Sequence, residues 1–328
     1  MRDALLSRSL AAGVFQIAMS SAPASSSDLP VVVGVTATYR RPAEVERLLR
    51  SLEASKCPLH ALVIVDNADD PATKALVSSA GLRIEYLSPG TNLGCGGGLH
   101  AGERLAMEKF GRELTHLWIL DDDAVVEPRT LGVLLTAMDH EAADTAHPLV
   151  IDSEGMLGWF PGLLDPVKFQ RVKVRQTPDE FVARAGLDPV PFSWAQGIAL
   201  LVTRRAIDSL GLHRTDYWVR GEDLEFSLRI TKDFRGLYIP AAHVQHLPPD
   251  STGPVTPEVE YRKHLAMLQN IAYTALRLPH GRRIARTIPG NWLRFLRSWP
   301  LSRAFIDSIG AFWKGAILAR PAGWTAKR

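Results

Sequence analysis

The strongest constraint on the fold of this chain is the alternation of strand-like and helix-like segments between residues 31 and 120. The apolar runs have the composition of strands buried on both faces, and in order they are VVVGV, HALVIVDN, LRIEYLSP and THLWIL. Helical periodicity separates them over Pro42 to Leu52, Pro71 to Ser79 and Gly98 to Phe110. The short links between these segments predict a parallel α/β sheet with right-handed crossovers.

The alternation weakens after Pro148. The stretch PVPFSWAQGIALLVTRRAID predicts a turn, a strand and the start of a helix, and another helix is predicted from Glu222 to Thr231. GLYIPAAHVQHLPP has the pattern of a late strand that ends in a loop with histidines, and the pattern after it is helical. We therefore predict an α/β domain over residues 29–250 and a helical region over residues 251–328.

The composition excludes several classes of protein. With 328 residues, 46% of them hydrophobic, the chain is long enough for one large domain or for one domain and an appendage. A net charge of +3 is too small to indicate nucleic acid as a partner. Two cysteines, Cys57 and Cys95, cannot form a disulfide framework. The sequence has no run of 18 apolar residues, so we predict no membrane-spanning helix.

The N-terminus has some features of a secretory signal. A mostly apolar stretch from Leu10 to Met19 precedes an A-x-A sequence that begins at Ala22. A glycine and a glutamine dilute the apolar stretch, however, and a polar segment follows it. We expect residues 1–28 to form a disordered or loosely helical leader.

Polar residues follow several of the predicted strands at the point where each strand ends. Asp66 ends the second run, Asn92 follows the third, and three consecutive aspartates, Asp121 to Asp123, follow the fourth. In open α/β sheets, ligands bind outside the carboxyl ends of the strands. These side chains therefore form a candidate binding site at one edge of the sheet.

The three aspartates predict a cation site. In an extended turn, residues i and i+2 project to the same side, so Asp121 and Asp123 can face one point while Asp122 makes a different contact. Two ionised carboxylates so close together are costly unless a cation neutralises them, and oxygen ligands suit Mg²⁺ or Mn²⁺. The alternative is that one aspartate caps the helix near Pro128 while the others are solvated.

Three reaction classes could use such a pair. A phosphatase of the haloacid dehalogenase type has D-x-D-x-[T/V], which Asp121, Asp123 and Val125 match, but its motif follows the first strand. A dinucleotide-dependent dehydrogenase has G-x-G-x-x-A, which GCGGGLHA matches, but in that class the motif also lies directly after the first strand. Sugar transfer from a nucleoside-diphosphate donor is the third class, and there a metal binds the diphosphate.

Five motifs occur in an order that resembles the family 2 glycosyltransferases of the GT-A fold. They are TATYRRP, VIVDN, NLGCGGG, WILDDD and RGEDLEF, and the resemblance covers Val31 to Pro249, roughly two-thirds of the chain. The likeness is greatest to the bacterial galactofuranosyl- and rhamnosyltransferase branch. It implies an α/β fold with a Rossmann-like, mostly parallel sheet flanked by helices, a GT-A catalytic domain over residues 29–250 and a C-terminal helical extension.

The resemblance implies that Asp121 and Asp123 bind Mn²⁺ or Mg²⁺, with a histidine of the late loop as a further ligand. His246 in VQHLP is the better match and His243 is its rival. The implied nucleotide-binding residues lie at strand ends, in the glycine-rich segment and in the aspartate motif: Thr36, Thr38, Arg40, Asp66, Asn92, Gly94 and Asp122. Their structural alternatives are helix capping for the threonines, a solvated cation for the arginine, a turn for Asp66 and tight helix packing for the glycines.

For the chemistry, the resemblance points to RGEDLEF. An inverting transfer needs a base that takes the proton from the acceptor hydroxyl, and the second acid of the pair, Asp223, has that role in the family. Glu222 would orient groups nearby. The alternative is that both acids only complement the dipole of the helix they begin. Trp194 and Trp218 could form a wall that stacks on sugar, or could be core residues.

The resemblance implies a nucleoside-diphosphate sugar donor, with UDP-galactofuranose and dTDP-rhamnose as candidates, and a glycan or lipid-linked glycan acceptor. The aromatic and arginine residues after Arg286 could rest on an anionic membrane, or could form a helical cap or an oligomer contact. The expected location is the cytoplasm, with peripheral contact at the inner face of the membrane. A non-catalytic nucleotide- or glycan-binding protein and the phosphatase are the alternative functions.

Overall fold

The computed structural model describes residues 30–158, 175–247 and 256–317, and all structural statements concern these residues. One sheet runs through the described part of the α/β region. Its strands are β1 (Val31–Thr38), β2 (Ala61–Asp66), β3 (Ile84–Leu87), β4 (Leu114–Leu120), β5 (Ala124–Val126), β6 (Thr145–Ile151), β7 (Val190–Pro191), β8 (Ala199–Thr203) and β9 (Gly236–His246).

The helices of the α/β region are α1 (Pro42–Glu53), α2 (Pro71–Ser79), α3 (Gly94–Phe110), α4 (Thr130–Glu141), α5 (Pro178–Ala185), α6 (Arg204–Leu210) and α7 (Glu222–Ile230). The C-terminal helices are α8 (Pro257–Arg277), α9 (Gly281–Ala285), α10 (Ile288–Ser298) and α11 (Leu301–Ile317). This arrangement confirms the predicted α/β class and the C-terminal helical region.

The sheet has the strand order β3-β2-β1-β4-β8-β6-β9-β5, with β7 paired to β9. The first four strands are parallel, as the alternation of strands and helices predicts. Beyond β4, the neighbour β8 is antiparallel, with Leu120 opposite Ala199. This reversal matters for the site, because it brings the start of β8 to the edge where β4 ends.

The central strands are buried on both faces, which explains their continuous apolar runs. On β2, for example, Val63 and Val65 pack in one core cluster, whereas Leu62 and Ile64 pack in the cluster on the other side of the sheet. A third, smaller core joins the C-terminal helices and includes Tyr261, Leu268, Phe295 and Ala304.

Helix α3 begins at Gly94, four residues before the predicted start. The glycines that opposed a helix prediction have a packing role, because a Cβ atom on Gly98 would lie 2.8 Å from the Cβ of Ala37. A Cβ atom on Gly102 would lie 2.6 Å from a Val35 methyl group. The absence of side chains thus lets α3 lie unusually close to β1. The helical glycines of GCGGGLHA therefore do not form a loop after the first strand, as a dinucleotide-binding motif requires.

Some predictions fall outside the described residues. The leader over residues 1–28 is one, and the boundary between residues 250 and 251 is another, so both stay predictions. Within the described segments, no helix combines the length and the apolar character needed to cross a membrane.

Candidate functional site

The ends of β1 and β4, and the pairing of β5 with β9, bring the predicted polar residues together. Thr38 is the last residue of β1, and the three aspartates follow β4 directly. The antiparallel pairing of β5 with β9 places Ala124 opposite His246. The Leu247 amide donates to the Asp123 carbonyl oxygen at 3.0 Å, which extends this pairing by one step.

Asp121, Asp123 and His246 form one cluster. One ligand atom of each lies within 4.8 Å of the other two, and Nε2 of His246 is 3.0 Å from Oδ1 of Asp123. His243 does not join this cluster: it lies three residues earlier on β9, so its side chain points to the opposite face. Its Nδ1 is instead 3.7 Å from the carboxylate of Glu127. Of the two histidines, the structure thus brings only His246 to the aspartates.

Asp122 points away from this cluster, as the extended-turn prediction requires. Its carboxylate accepts hydrogen bonds from the Thr38 hydroxyl at 2.7 Å and from the Arg41 guanidinium at 2.9 Å. The same guanidinium nitrogen donates to Asp123 at 3.2 Å. Arg41, which the sequence interpretation passed over, therefore bridges two of the three aspartates. Arg40, the residue predicted instead, is exposed and has its guanidinium 5.2 Å from the ring centre of Tyr39.

Burial and neighbouring charges shift the pKa values of all three aspartates. Burial and the charge of Asp123 raise the pKa of Asp121 to about 7. Burial raises the pKa of Asp122 to about 6, although the charge of Arg41 opposes this rise. Burial also acts to raise the pKa of Asp123, but its contacts with His246 and Arg41 outweigh burial and lower it. Buried carboxylates this close together are costly to ionise, which favours a bound cation.

We expect Arg41→Ala to lower the free energy of unfolding by about 1–2 kcal/mol. The variant leaves Asp122 and Asp123 buried without their shared cation, and the cost stays below that of a fully buried pair because Arg41 is one-third exposed. The loss should shrink below about pH 6, where Asp122 takes up a proton and no longer needs the cation. Denaturant unfolding at several pH values measures it. Arg40→Ala is the matched control, and an equal loss in both variants would contradict the assignment.

The second acidic group lies at the start of α7. Gly221 precedes this helix with φ of 94°, a conformation that favours glycine, and Glu222 and Asp223 form the first turn. The Leu224 amide donates to the Asp223 carboxylate at 2.7 Å. Burial and the charge of Asp223 raise the pKa of Glu222 to about 8, and burial also raises the pKa of Asp223.

A two-residue segment before β8 connects the two acidic groups. The Ile198 carbonyl accepts the amide of Asp121 at 3.1 Å, and the neighbouring Gly197 backbone bonds to the Asp223 carboxylate. Besides burial, the charge of Asp223 contributes to the raised pKa of Asp121, and the charge of Asp121 contributes to the raised pKa of Glu222. The reversal of strand direction at β8 therefore brings the two acidic groups to one place. No sequence signal marks Gly197 or Ile198 for this role.

The glycine-rich segment packs against the chain that leads to α7. Asn92 accepts the Gly94 amide at 2.8 Å, and Asn67 accepts the Leu93 amide at 3.0 Å. The Cys95 amide donates to the Trp218 carbonyl at 2.8 Å, and the Cys95 thiol bonds to Glu222. These contacts favour tight packing as the reason for the glycines.

We expect Gly94→Ala to lower the free energy of unfolding by about 3 kcal/mol. Its φ is 75°, and an added Cβ would lie far inside van der Waals contact of the Trp218 carbonyl oxygen. Gly90→Ala is the matched control, because Gly90 has φ of 71° and no heavy atom within 4 Å of such a Cβ. That variant should lose only about 1 kcal/mol, the cost of the backbone conformation. Denaturant unfolding of both variants separates strain from clash, and similar losses would rule out the clash.

The remaining predicted residues have varied surroundings. Asp66 is fully buried and accepts the amides of Ala68 and Asp70 and the Tyr86 hydroxyl, so its carboxylate organises the turn after β2. Thr36 is buried within β1, and Trp194 is buried in a core cluster. Trp218 is half-buried against Gly94, and the guanidinium of Arg262 lies 5.1 Å from its ring centre. Trp194 thus belongs to the core, whereas Trp218 contacts the glycine-rich segment.

Comparison with known proteins gives three findings about sequence. Residues 35–187 match the family described as Glycosyl transferase family 2. Galactofuranosyltransferase GlfT1 of Mycobacterium tuberculosis is 25% identical over 207 residues, which are 61% of this chain and 64% of that protein. The chain thus spans less than two-thirds of this relative. Galactofuranosyltransferase GlfT1 of Mycolicibacterium smegmatis is 27% identical over 282 residues, 81% of this chain and 88% of that protein.

The fold also has solved counterparts. The crystal structure of GalNAc-T7 with UDP, GalNAc and Mn²⁺ superposes with a TM-score of 0.58 at 14% identity, covering 88% of this chain and 56% of that one. Such a likeness concerns the fold alone. Together with the family match, it confirms the predicted resemblance to the family 2 glycosyltransferases of the GT-A fold.

Proposed function

We propose that this chain, a family 2 glycosyltransferase by the match of residues 35–187, moves galactofuranose from a nucleoside-diphosphate donor to a glycan acceptor. The observation that carries the proposal is the meeting of the Asp121–Asp123–His246 cluster with the acidic start of α7 at the carboxyl edge of the sheet. The relatives named galactofuranosyltransferase favour that sugar. Rhamnose, the other sugar suggested by the sequence motifs, is the second candidate.

A divalent cation fits the first acidic cluster. Asp121, Asp123 and His246 offer two carboxylates and one imidazole, a donor set that Mn²⁺ accepts and that Mg²⁺ can share through its oxygen ligands. Burial and the charge of Asp123 raise the pKa of Asp121, and a cation bound here would favour its ionised form. A bound cation would neutralise the diphosphate as it leaves the sugar. Arg41 donates to both Asp122 and Asp123 and so helps to hold these two carboxylates in place.

Asp223 is the proposed base. Its carboxylate takes the proton of the acceptor hydroxyl while the acceptor oxygen attacks the anomeric carbon, and the bond to the diphosphate breaks on the opposite face. The product has the inverted anomeric configuration, and no covalent intermediate is needed. The Leu224 amide orients this carboxylate, and Glu222 positions the groups beside it.

The nucleotide is proposed to lie along the edge formed by the ends of β1 and β2 and by the start of α3. Thr38 and Asp122 line the aspartate side of this edge, and Asn92 and Gly94 line the other. Trp218, beside Gly94, is the proposed wall for a sugar ring. We further propose that a glycan or lipid-linked glycan is the acceptor and that the protein acts in the cytoplasm, where nucleotide sugars are made.

A donor panel tests the proposal. We expect UDP-galactofuranose to bind in the presence of Mn²⁺ and to lose affinity when EDTA replaces the metal, with dTDP-rhamnose and UDP-glucose as comparison donors. Calorimetry measures binding, and release of UDP measures turnover. Tighter binding of dTDP-rhamnose would replace the sugar but keep the enzyme class. If no nucleotide sugar binds with or without metal, the transferase proposal fails, and release of phosphate from simple esters would indicate the phosphatase instead.

A further inference from the structure

Most of the exposed large hydrophobic side chains among the described residues lie on the last helix. Of the ten exposed large hydrophobic residues, eight lie at or after Leu276. Six of these eight, which we call the apolar stripe, belong to α11: Leu301, Phe305, Ile306, Ile309, Trp313 and Ile317. Five of them, from Leu301 to Ile317, recur every fourth residue, so they share one face of the helix. Ile306, Trp313 and Ile317 are each more than two-thirds exposed. An apolar face of this size marks an interaction surface.

The opposite face of α11 packs on the rest of the protein. The stripe is therefore the outer face of a helix that is already packed on its other side. Ala304, Ser308 and Gly315 are buried, and the backbone at Gly315 approaches the Gln269 carbonyl of α8 so closely that a Cβ atom would clash with it. Tyr261 of α8 donates to Asp307 at 2.5 Å. Helix α11 is therefore fixed by its small and polar face, which leaves the apolar stripe turned outward.

The segment that carries the stripe has a large net positive charge, although Arg303 pairs with Glu258 and Asp307. Residues 281–317 contain seven Lys and Arg residues and a single acidic residue, Asp307, which gives this segment a net charge of +6. The whole chain has +3, so the rest of it carries −3. All seven basic residues are exposed, and they are Arg282, Arg283, Arg286, Arg294, Arg297, Arg303 and Lys314. The apolar stripe thus lies in a segment of large net positive charge.

We propose that the apolar stripe and its basic surroundings bind an anionic phospholipid surface, with α11 lying in the plane of the interface. A helix with one apolar face and a cationic border has the composition of an interfacial helix. A second copy of the chain is a poorer occupant, because two segments that each have a net charge of +6 would repel each other. A bilayer with anionic headgroups supplies both the apolar layer and the opposite charge.

The proposed surface is one helix away from the acidic site. Helix α8 contacts α11 on one side, and on the other its Asn270 donates to the Val219 and Arg220 carbonyls, directly before Glu222. The axes of packed helices are about 8–10 Å apart. Bilayer contact would therefore hold the site near a lipid-linked acceptor, a consequence that rests on the proposed transferase function, whereas lipid binding itself does not.

Vesicle co-sedimentation of the full chain tests the proposal without donor or acceptor. We expect binding to vesicles of phosphatidylcholine and phosphatidylglycerol in equal parts, weak binding to pure phosphatidylcholine, and release by high salt. The Ile306→Glu/Trp313→Glu double variant should bind at least about tenfold more weakly. Arg303→Gln with Lys314→Gln should lose about fivefold per charge. Leu187→Glu is the matched control, since Leu187 is an exposed apolar residue outside the stripe and should keep full binding.

Thermal unfolding, donor binding and light scattering distinguish the possible outcomes of this experiment. Thermal unfolding shows that the double variant is folded, and donor binding in solution should equal that of the wild type, so a failed lipid proposal and a failed transferase proposal remain distinguishable. Equal binding to neutral and anionic vesicles would overturn the role of charge. Light scattering that shows a wild-type dimer and a monomeric double variant, with no vesicle binding, would identify a second copy as the occupant and overturn the proposal.

Discussion

Asp223→Asn is expected to lower kcat about 10³-fold and to leave the Kd of the sugar donor nearly unchanged. A positioned general base contributes about 10²–10⁴-fold, and the amide keeps the size and shape of the side chain while it loses the ability to accept a proton. The Leu224 amide can still donate to the remaining oxygen, so the start of α7 should keep its geometry. Initial rates and calorimetric donor binding measure the two quantities separately.

The control is Asp208→Asn, on the exposed face of α6, which should change neither quantity. The pH profile is the second readout. Burial raises the pKa of Asp223, and the base is active only when ionised, so kcat should fall on the acid side at a pH above the usual Asp value of about 3.9. This acid limb should disappear from the residual activity of Asp223→Asn. A variant that keeps most of its activity would exclude Asp223 as the base and favour a non-catalytic or helix-capping role.

Asp123→Ala is expected to weaken donor binding in the presence of Mn²⁺ by at least about 100-fold. Asp123 contacts His246 at 3.0 Å and Arg41 at 3.2 Å, so its removal takes one ligand from the proposed metal site and frees two cationic partners. Charge stabilisation of a phosphate by a metal is worth several kcal/mol. The remaining donor affinity should no longer depend on the metal, and titrations with and without Mn²⁺ measure this.

Asp139→Ala provides the matched control, because Asp139 is an exposed aspartate on α4 and should not alter the response to metal. Thermal unfolding of the Asp123→Ala variant establishes that it is folded. If its donor binding still responds to Mn²⁺ as in the wild type, the metal does not lie at this cluster. Together, the two aspartate variants separate donor binding from chemistry, since Asp123→Ala should weaken donor binding whereas Asp223→Asn should slow only the chemical step.

Local rules predicted the α/β half of the protein closely. Helix α2 spans Pro71–Ser79, as its periodicity indicates, and the end of β4 at Leu120 lies directly before the aspartates. The prediction that Asp121 and Asp123 face one way and Asp122 another rests only on the period of two along an extended chain. These features depend on residues close in sequence, which is why the sequence reveals them.

The tertiary structure decided which residues meet across the sheet. The choice of His246 over His243 follows from the register of β9 against β5, and the arrival of Gly197 between the acidic groups follows from the antiparallel pairing of β8 with β4. The preference for Arg41 over Arg40 follows from the turn after β1, where Arg40 has φ of 56°.

The sequence by itself thus determined the first four strands, the helices between them and the types of residue at the sheet edge, because periodicity and local sterics act within a few residues. Only the packing of segments distant in sequence decided which residues contact one another at the site. The same packing decided that the apolar stripe faces outward. Pairing between residues 80 or more positions apart, such as Thr38 with Asp122, depends on strand order and register. Neither of these can be read from the local pattern of a single sequence.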